Sequence, residues 1–456
     1  MISRKSPSLI AIVITGLSLT ACSSNSVLTG SAYSKGTASS SLQTTQLSKR
    51  TPINSVWWQK FGDSLMTSLI EEALQANPDI KTAQASLRSA RAEAIIARSS
   101  LLPTLSASGS AGRVSSKESY NAGLDASWEA DIFGSNRFAS NAAEADLKAS
   151  QVSLEDVKAS LAAEVASAYV NLRLAQARLK VSQQSLASRV ETSRLITLKQ
   201  QAGLASGLEE EQAKLSLGQV KAEIPALENS ISSSQHALAM LLGKEPQIVK
   251  ARLSSIKPIP TANLNLAKNI PANAIRQRPD IRVAEYQITA AELHVGVAKA
   301  NLYPSFKLSG SLSYSSVKLS DLIDPANLAR SLLASISAPL FNGGSLRQQV
   351  IVQDAAREQA VANYQKTVLI ALQDVADAFA SLQSYARQTP LLQNNIKLAQ
   401  STERLSNLSY NAGTDDFQNV LEAQRTVLTS QQSLLTAQAE QSLSLISLYK
   451  AVGGAW

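Results

Sequence analysis

The residue best placed for a defined covalent chemistry is Cys22, the only cysteine in the chain, which closes the tetrapeptide Leu19-Thr20-Ala21-Cys22. Arg4 and Lys5 precede an apolar stretch from Leu9 to Leu17 that is too brief to span a bilayer as a helix. A basic start, a short apolar core and small residues before a cysteine make residues 1–21 a lipoprotein signal peptide, with Cys22 as the acylated residue. An ordinary signal peptide with an incidental cysteine is the competing reading. A solitary cysteine leaves no intrachain disulfide framework. By the sorting habit of Gram-negative lipoproteins, Ser23 rather than Asp after the cysteine favours export to the outer membrane.

Carboxylates are the next candidates. Glu209-Glu210-Glu211 begins a helix, where acidic side chains suit the dipole, so a solvated helix start explains the run better than a cation site. After Gly413, the residues Asp415, Asn419 and Glu422 are spaced by four and three, which sets them on one helical face. Asp415 and Asp416 have a second explanation, because carboxylates at a helix start cap free N–H groups. The two histidines, His236 and His294, lie far apart in helical runs and cannot form a His-rich metal site. There is no Gly-x-Ser-x-Gly elbow, P-loop or dinucleotide fingerprint. These residues point to no enzyme, and no metal or cofactor is expected.

What must position such residues is unusual for a globular chain. Aromatics make up 5%, while Ala, Ser, Leu and Gln dominate, a composition suited to long helices packed through small side chains. The net charge of +8 is scattered among acidic residues without a basic block or aromatic platform, which argues against nucleic acid. Residues 22–50 are rich in Ser, Thr and Gly and read as a lipid-anchored tether. Gly and Pro are absent between Gly134 and Gly203, from Ser345 to Thr389, and between Gly413 and Gly453. As one helix the first run would reach ~100 Å. Leu161, Val165, Ala168, Leu172, Ala175 and Leu179 recur within it at steps of three and four, marking a buried face.

Two segments change period. Leu124, Ala126, Trp128, Ala130 and Ile132 alternate with polar residues, as do Phe306, Leu308, Gly310, Leu312 and Tyr314. Weaker alternation covers Leu105 to Val114 and Leu332 to Leu340. Each segment approaches the roughly 9–11 residues of a tilted transmembrane strand, although soluble hairpins on a helical body have the same pattern.

The pieces repeat. Asn77-Pro78-Asp79-Ile80 is echoed by Arg278-Pro279-Asp280-Ile281, and Arg137, Ala202-Gly203, Ala213 and Gly243 by Arg347, Ala412-Gly413, Ala423 and Gly453. The tandem copies are 51–260 and 261–456, each with helices, two strands and a helical hairpin. Four strands cannot close a barrel, for which about eight are the practical minimum, so oligomerisation is a physical demand.

At this level the chain resembles the outer-membrane factor family of TolC and OprM, in its lipoprotein branch. The residues that carry the resemblance run from Trp57-Trp58, Phe61 and Asp63 through Trp128-Glu129-Ala130-Asp131-Ile132-Phe133-Gly134 and Ala202-Gly203-Leu204-Ala205-Ser206. They continue through Leu241-Leu242-Gly243, Pro339-Leu340-Phe341 and Leu448-Tyr449-Lys450 to Gly453-Gly454-Ala455-Trp456.

The resemblance implies an α+β, TolC-like homotrimeric channel: a transmembrane β-barrel in outer-membrane lipid with four strands per protomer, above a long periplasmic α-helical barrel. The implied function is the exit duct of a tripartite efflux pump, working with a periplasmic adaptor (membrane fusion) protein and an inner-membrane transporter of the resistance-nodulation-division (RND) type. A type I secretion conduit, or a periplasmic coiled-coil scaffold without a channel, are the alternatives. The resemblance further implies that the tips at Ala202, Gly203, Ala412 and Gly413 meet the adaptor. It places Glu422 at a closed pore constriction, with Asn419 standing where the TolC branch has a second acid.

Overall fold

The computed structural model describes residues 56–261 and 275–453, so Cys22, the tether 22–50 and the closing Gly454-Ala455-Trp456 lie outside the described residues. After a 3₁₀ turn at Trp57–Phe61, helix α1 (Ser64–Ala76) leads into α2 (Pro78–Ser99). Strands β1 (Thr104–Val114) and β2 (Lys117–Ala130) follow, then α3 (Ser135–Gln201), α4 (Gly207–Leu241) and the short α5 (Pro246–Leu253). The second half runs α6 (Pro279–Ala300), β3 (Ser305–Ser316), β4 (Leu328–Ser337), α7 (Ser345–Asn411) and α8 (Phe417–Ala451).

Helices α3 and α7 are each 67 residues long, about 100 Å. Both begin after a glycine at φ 84, Gly134 and Gly344, and both end in a left-handed glycine at φ 72, Gly203 and Gly413. Those left-handed positions suit glycine because it has no Cβ to clash. Proline does not stop these helices: α4 passes through Pro225, and α7 through Pro390, beyond the Pro-free stretch that ended at Thr389. Losing one backbone bond is tolerated there because antiparallel partners pack along each helix.

The apolar core sits midway along α3. Leu161, Val165, Tyr169 and Leu172 of α3 meet Met66, Leu69 and Ile70 of α1, Leu238 of α4, and Leu445 and Ile446 of α8. Trp57 stacks on Tyr449 with centroids 5.2 Å apart, which fixes the entry to α1 against the end of α8. Each such side chain contributes about 1.5–3 kcal/mol on burial.

The four strands form one antiparallel sheet in the order β1-β2-β3-β4, so β2 and β3 join the two halves of the chain. The alternating segments are strands, with two corrections: β2 ends at Ala130, so Ile132 lies beyond it, and the last segment is shifted. The weak signal at Leu332 to Leu340 is displaced: β4 begins at Leu328 and stops at Ser337, before Pro339. Proline has no N–H for a ladder, and the strand's first residues, Leu328-Ala329-Arg330-Ser331, break simple alternation.

Candidate functional site

Register divides the sheet into two chemical faces. On one, Asp125 lies between Ser106 and Ser311, Ser127 between Thr104 and Ser309, and Glu129 opposite Lys307, with which it pairs at 3.6 Å. Leu333, opposite Ser309, and Ala329, opposite Ser313, are apolar exceptions on that face. On the other, Trp128, Leu308 and Ala334 form one row and Ala130, Phe306 and Ile336 the next. At the same end, Phe133 stacks on Tyr303 with centroids 4.7 Å apart, and Trp128 Nε1 donates to the Leu101 carbonyl at 3.1 Å. Aromatic rings bordering an apolar band suit a membrane–water boundary. Among the described residues, strands β1 and β4 each have only one neighbour, so both sheet edges are open.

Below the sheet, Arg173 holds the mid-level core. Completely buried, it donates to Gln176 Oε1 and the Ser255 carbonyl, both at 2.6 Å, and to the Tyr169 hydroxyl at 2.9 Å. Tyr169 in turn donates to Asp63 Oδ2 at 2.8 Å, while Asp63 Oδ1 caps α1 by accepting from Leu65 and Met66 N–H. Burial pushes the Tyr169 hydroxyl up to about 12. One network therefore ties α1 and the segment after α5 to α3.

The hairpin tips are near copies of one another. Leu204 N–H bonds the Lys199 carbonyl and Gly203 N–H the Gln200 carbonyl, and Thr414 and Gly413 repeat this with Ser409 and Tyr410. These paired bonds satisfy the last free carbonyls of α3 and α7, and they place Ala202, Gly203, Ala412 and Gly413 at exposed turns. The helices that return differ. Ser206 and Glu209 form a capping box at the start of α4, whose Ser206 N–H holds the Glu209 carboxyl below its usual range. Glu209 also accepts from Tyr410 at 3.1 Å, linking the two tips, and burial with this acid raises Tyr410 to about 12.

At the start of α8 the capping expected of Asp416 is corrected, whereas Asp415 does accept a backbone N–H. Asp416 occupies the N-cap position, but its side chain accepts no cap bond. Asp415 precedes the helix, and its Oδ1 accepts from Asp416 N–H and, at 2.6 Å, from Asn419 Nδ2. Phe417 explains this: it is buried against Val420, Ala213 and Ile196, so tip packing sets the helix start where side-chain capping does not. Asp415 and Asn419 are therefore together, whereas exposed Glu422 lies beside Arg425 at 3.6 Å.

Sequence reading missed a polar seam between the hairpins. Arg189 of α3 is 5% exposed and donates to Ser216 of α4. It borders a cavity of about 210 Å³ shared with Glu403 of α7 and Gln424 of α8. Burial lowers the Arg189 guanidinium and raises the Glu403 carboxyl, each partly offset by the other's charge. Gln424 Nε2 donates to Thr192 at 3.1 Å. The available signal was a cation and an amide at positions facing the helical stripe, a pattern that periodicity alone reads as surface.

Helix α7 is poorly covered. Of its residues only Ala371, Ala378, Leu382 and Ala399 are buried, whereas Ile351, Leu369, Leu391 and Leu398 are exposed. Leu340 and Phe341, just before it, are 96% and 94% exposed. Among the described residues no cluster of potential metal ligands occurs, and no helix is long and apolar enough to cross a membrane.

Comparison with known proteins gives this arrangement a context. The family profile described as outer membrane efflux protein matches residues 69–244 and 270–454. The chain is 31% identical over 409 residues to the solvent efflux pump outer membrane protein SrpC of Pseudomonas putida, covering 87% of this chain and 86% of that one. It is 28% identical over 410 residues to the cation efflux system protein CusC of Escherichia coli O6:H1, covering 88% and 89%. Among solved structures, the outer-membrane channel OprN superposes with a TM-score of 0.83 at 30% identity, over 88% of this chain and 92% of that one.

Proposed function

Because the chain belongs to the outer membrane efflux protein family, we propose that three copies close one barrel in the outer membrane above a periplasmic duct built from their long hairpins. The observation that carries this reading is the four-stranded sheet with one apolar face and two open edges. Unpaired backbone at such edges is untenable in lipid, and three sheets of four give a closed ring of twelve strands. The exposed apolar residues of α7 are then covered by an adjoining copy, as the edges of the sheet are.

The duct passes solutes delivered by an inner-membrane RND-type transporter through a periplasmic adaptor, and its work is conduction without catalysis or cofactor. The relatives' names, solvent efflux and cation efflux, support efflux over protein secretion. The adaptor docks at the tips around Ala202, Gly203, Ala412 and Gly413, where Leu204 offers a side chain that is 76% exposed. Glu422, and nearer the tip the Asp415–Asn419 pair, ring the threefold axis and attract cations at the periplasmic mouth. Asp416 borders the same mouth. Acyl chains on Cys22 supplement the barrel's own insertion.

The test is native mass measurement of the detergent-extracted protein, followed by planar-bilayer recording. Trimers with discrete conductance steps are expected. A monomer without conductance would leave the lipoprotein scaffold as the better reading.

A further inference from the structure

The apolar face of the sheet carries a charge that nothing in the described chain answers. Arg330 is the third residue of β4 and pairs with Leu312, in a row that continues through Leu124 to Ala107. It shares its face with Leu328 and Leu332, is exposed, and has no ion pair or side-chain hydrogen bond among the described residues. A guanidinium on hydrocarbon is costly at the bilayer centre and tolerated only where headgroups can reach it.

Neighbouring acids do not supply the missing partner. Asp321 Oδ1 accepts from the Ser320 hydroxyl and Asp324 Oδ1 from Ala326 N–H, both within the β3–β4 loop. On its free edge, β4 would meet β1 of an adjoining copy, and β1 contains no acidic residue. Instead β1 brings Arg113, on the same outward face and one residue from its outer end. Arg113 lies opposite Glu118, whose carboxylate already accepts from the Tyr120 hydroxyl at 3.2 Å. Lys117 and Lys318 add positive charge at the same end of the sheet.

We propose that Arg330, joined at each subunit seam by Arg113 of the adjoining copy, docks the phosphate of an anionic outer-leaflet lipid. The planar guanidinium fork matches phosphate oxygens in two-point contact, and low dielectric beside the acyl chains strengthens that bond. Flanking Leu328 and Leu332 would lie along the acyl chains while the headgroup meets the charge. This inference rests on the closed trimeric barrel proposed above.

The experiment uses the full-length, detergent-extracted protein in native mass spectrometry. It is titrated with bis-phosphorylated lipid A and, separately, with the same lipid A after its phosphates are removed. The wild type is expected to retain the phosphorylated lipid preferentially, and Arg330→Gln to lower that retention roughly tenfold. Arg330→Lys keeps part of it, Arg113→Gln weakens it, and Leu333→Ala, on the opposite face of β4, leaves the phosphate preference unchanged. Equal retention of the two lipids by wild-type trimers, or undiminished retention by Arg330→Gln trimers, overturns the docking site alone. Protein that carries no third copy at any lipid concentration overturns the barrel reading with it.

Discussion

The side-chain amide of Asn77 donates to the carbonyl oxygen of Leu241 at 2.8 Å, pinning the end of the first hairpin to the start of α2. Arg278 does the equivalent in the second half, donating to the Ala451 carbonyl at 3.0 Å. The duplicated halves thus close with the same clasp built from different chemistry, and Arg278 adds contacts to Asp280 at 2.8 Å and Asp374 at 3.1 Å. Replacing Arg278 by Ala leaves the Ala451 carbonyl and two carboxylates short of a donor. Solvent screens those half-exposed acids, so the expected loss is about 1–3 kcal/mol, read from denaturant unfolding. Arg278→Asn, which copies the other half, should recover part of it.

Gly296 of α6 lies against Phe138 of α3, where an added Cβ would come within 2.9 Å of the ring. Gly296→Ala is expected to destabilise by about 1–3 kcal/mol through overpacking. Phe138→Leu in the same chain should relieve most of this, so a thermal-melt double-mutant cycle with no coupling would refute the contact.

Burial raises the Glu403 carboxyl, so the folded state holds its proton more tightly than the unfolded chain. The resulting stability is complete below the usual carboxylate value and is lost as pH rises through the raised one. Hydrogen exchange of the α7–α8 hairpin should accelerate across that window, and Glu403→Gln should flatten the dependence. An unchanged profile in that variant assigns the titration elsewhere.

Arginine in place of Ala202 or Ala412 is expected to cut adaptor crosslinking at the tips while native gels still report trimers. These residues are exposed and lie outside the core, so stability should change by less than ~0.5 kcal/mol. Full crosslinking in both variants moves the docking site.

For the mouth, Glu422→Gln is expected to lower cation selectivity and weaken block by divalent cations added from the periplasmic side in planar bilayers. The exposed Glu422 side chain beside Arg425 can be neutralised without disturbing a buried partner. Identical reversal potentials and block in both channels would remove Glu422 from the constriction.

Much of this fold was legible because its periods are long and clean. Serine alternates with Leu308, Leu312 and Tyr314 in β3, and the small and branched residues of α3 recur at helical spacing over a stretch without breakers. The glycines at 203 and 413 marked turns because only the left-handed conformation lets both terminal carbonyls be satisfied there. Capping at Asp416 was misread because the burial of Phe417, a tertiary event, sets that helix start. Arg189 and Glu403 were invisible as a pair for a similar reason: α3 and α7 reach one cavity only because both pack on α8. The start of β4 was missed because Leu328-Ala329-Arg330 puts a cation where alternation calls for an apolar residue.

The ladder between β2 and β3 has a kinetic meaning. Each helical hairpin can zip from its own Gly turn with local contacts, but Trp128 can find Leu308 only after α3, α4, α5 and α6 have all been made. That pairing closes a very long loop, so the sheet forms late and slowly relative to the hairpins. A newly exported chain would therefore cross the periplasm with its helices zipped while both strand pairs remain unjoined and their apolar faces open. Joining β2 to β3 becomes the commitment step, which ties formation of the four-stranded sheet to a chain made past β3 and leaves a copy truncated before Ser305 with a lone β1–β2 hairpin.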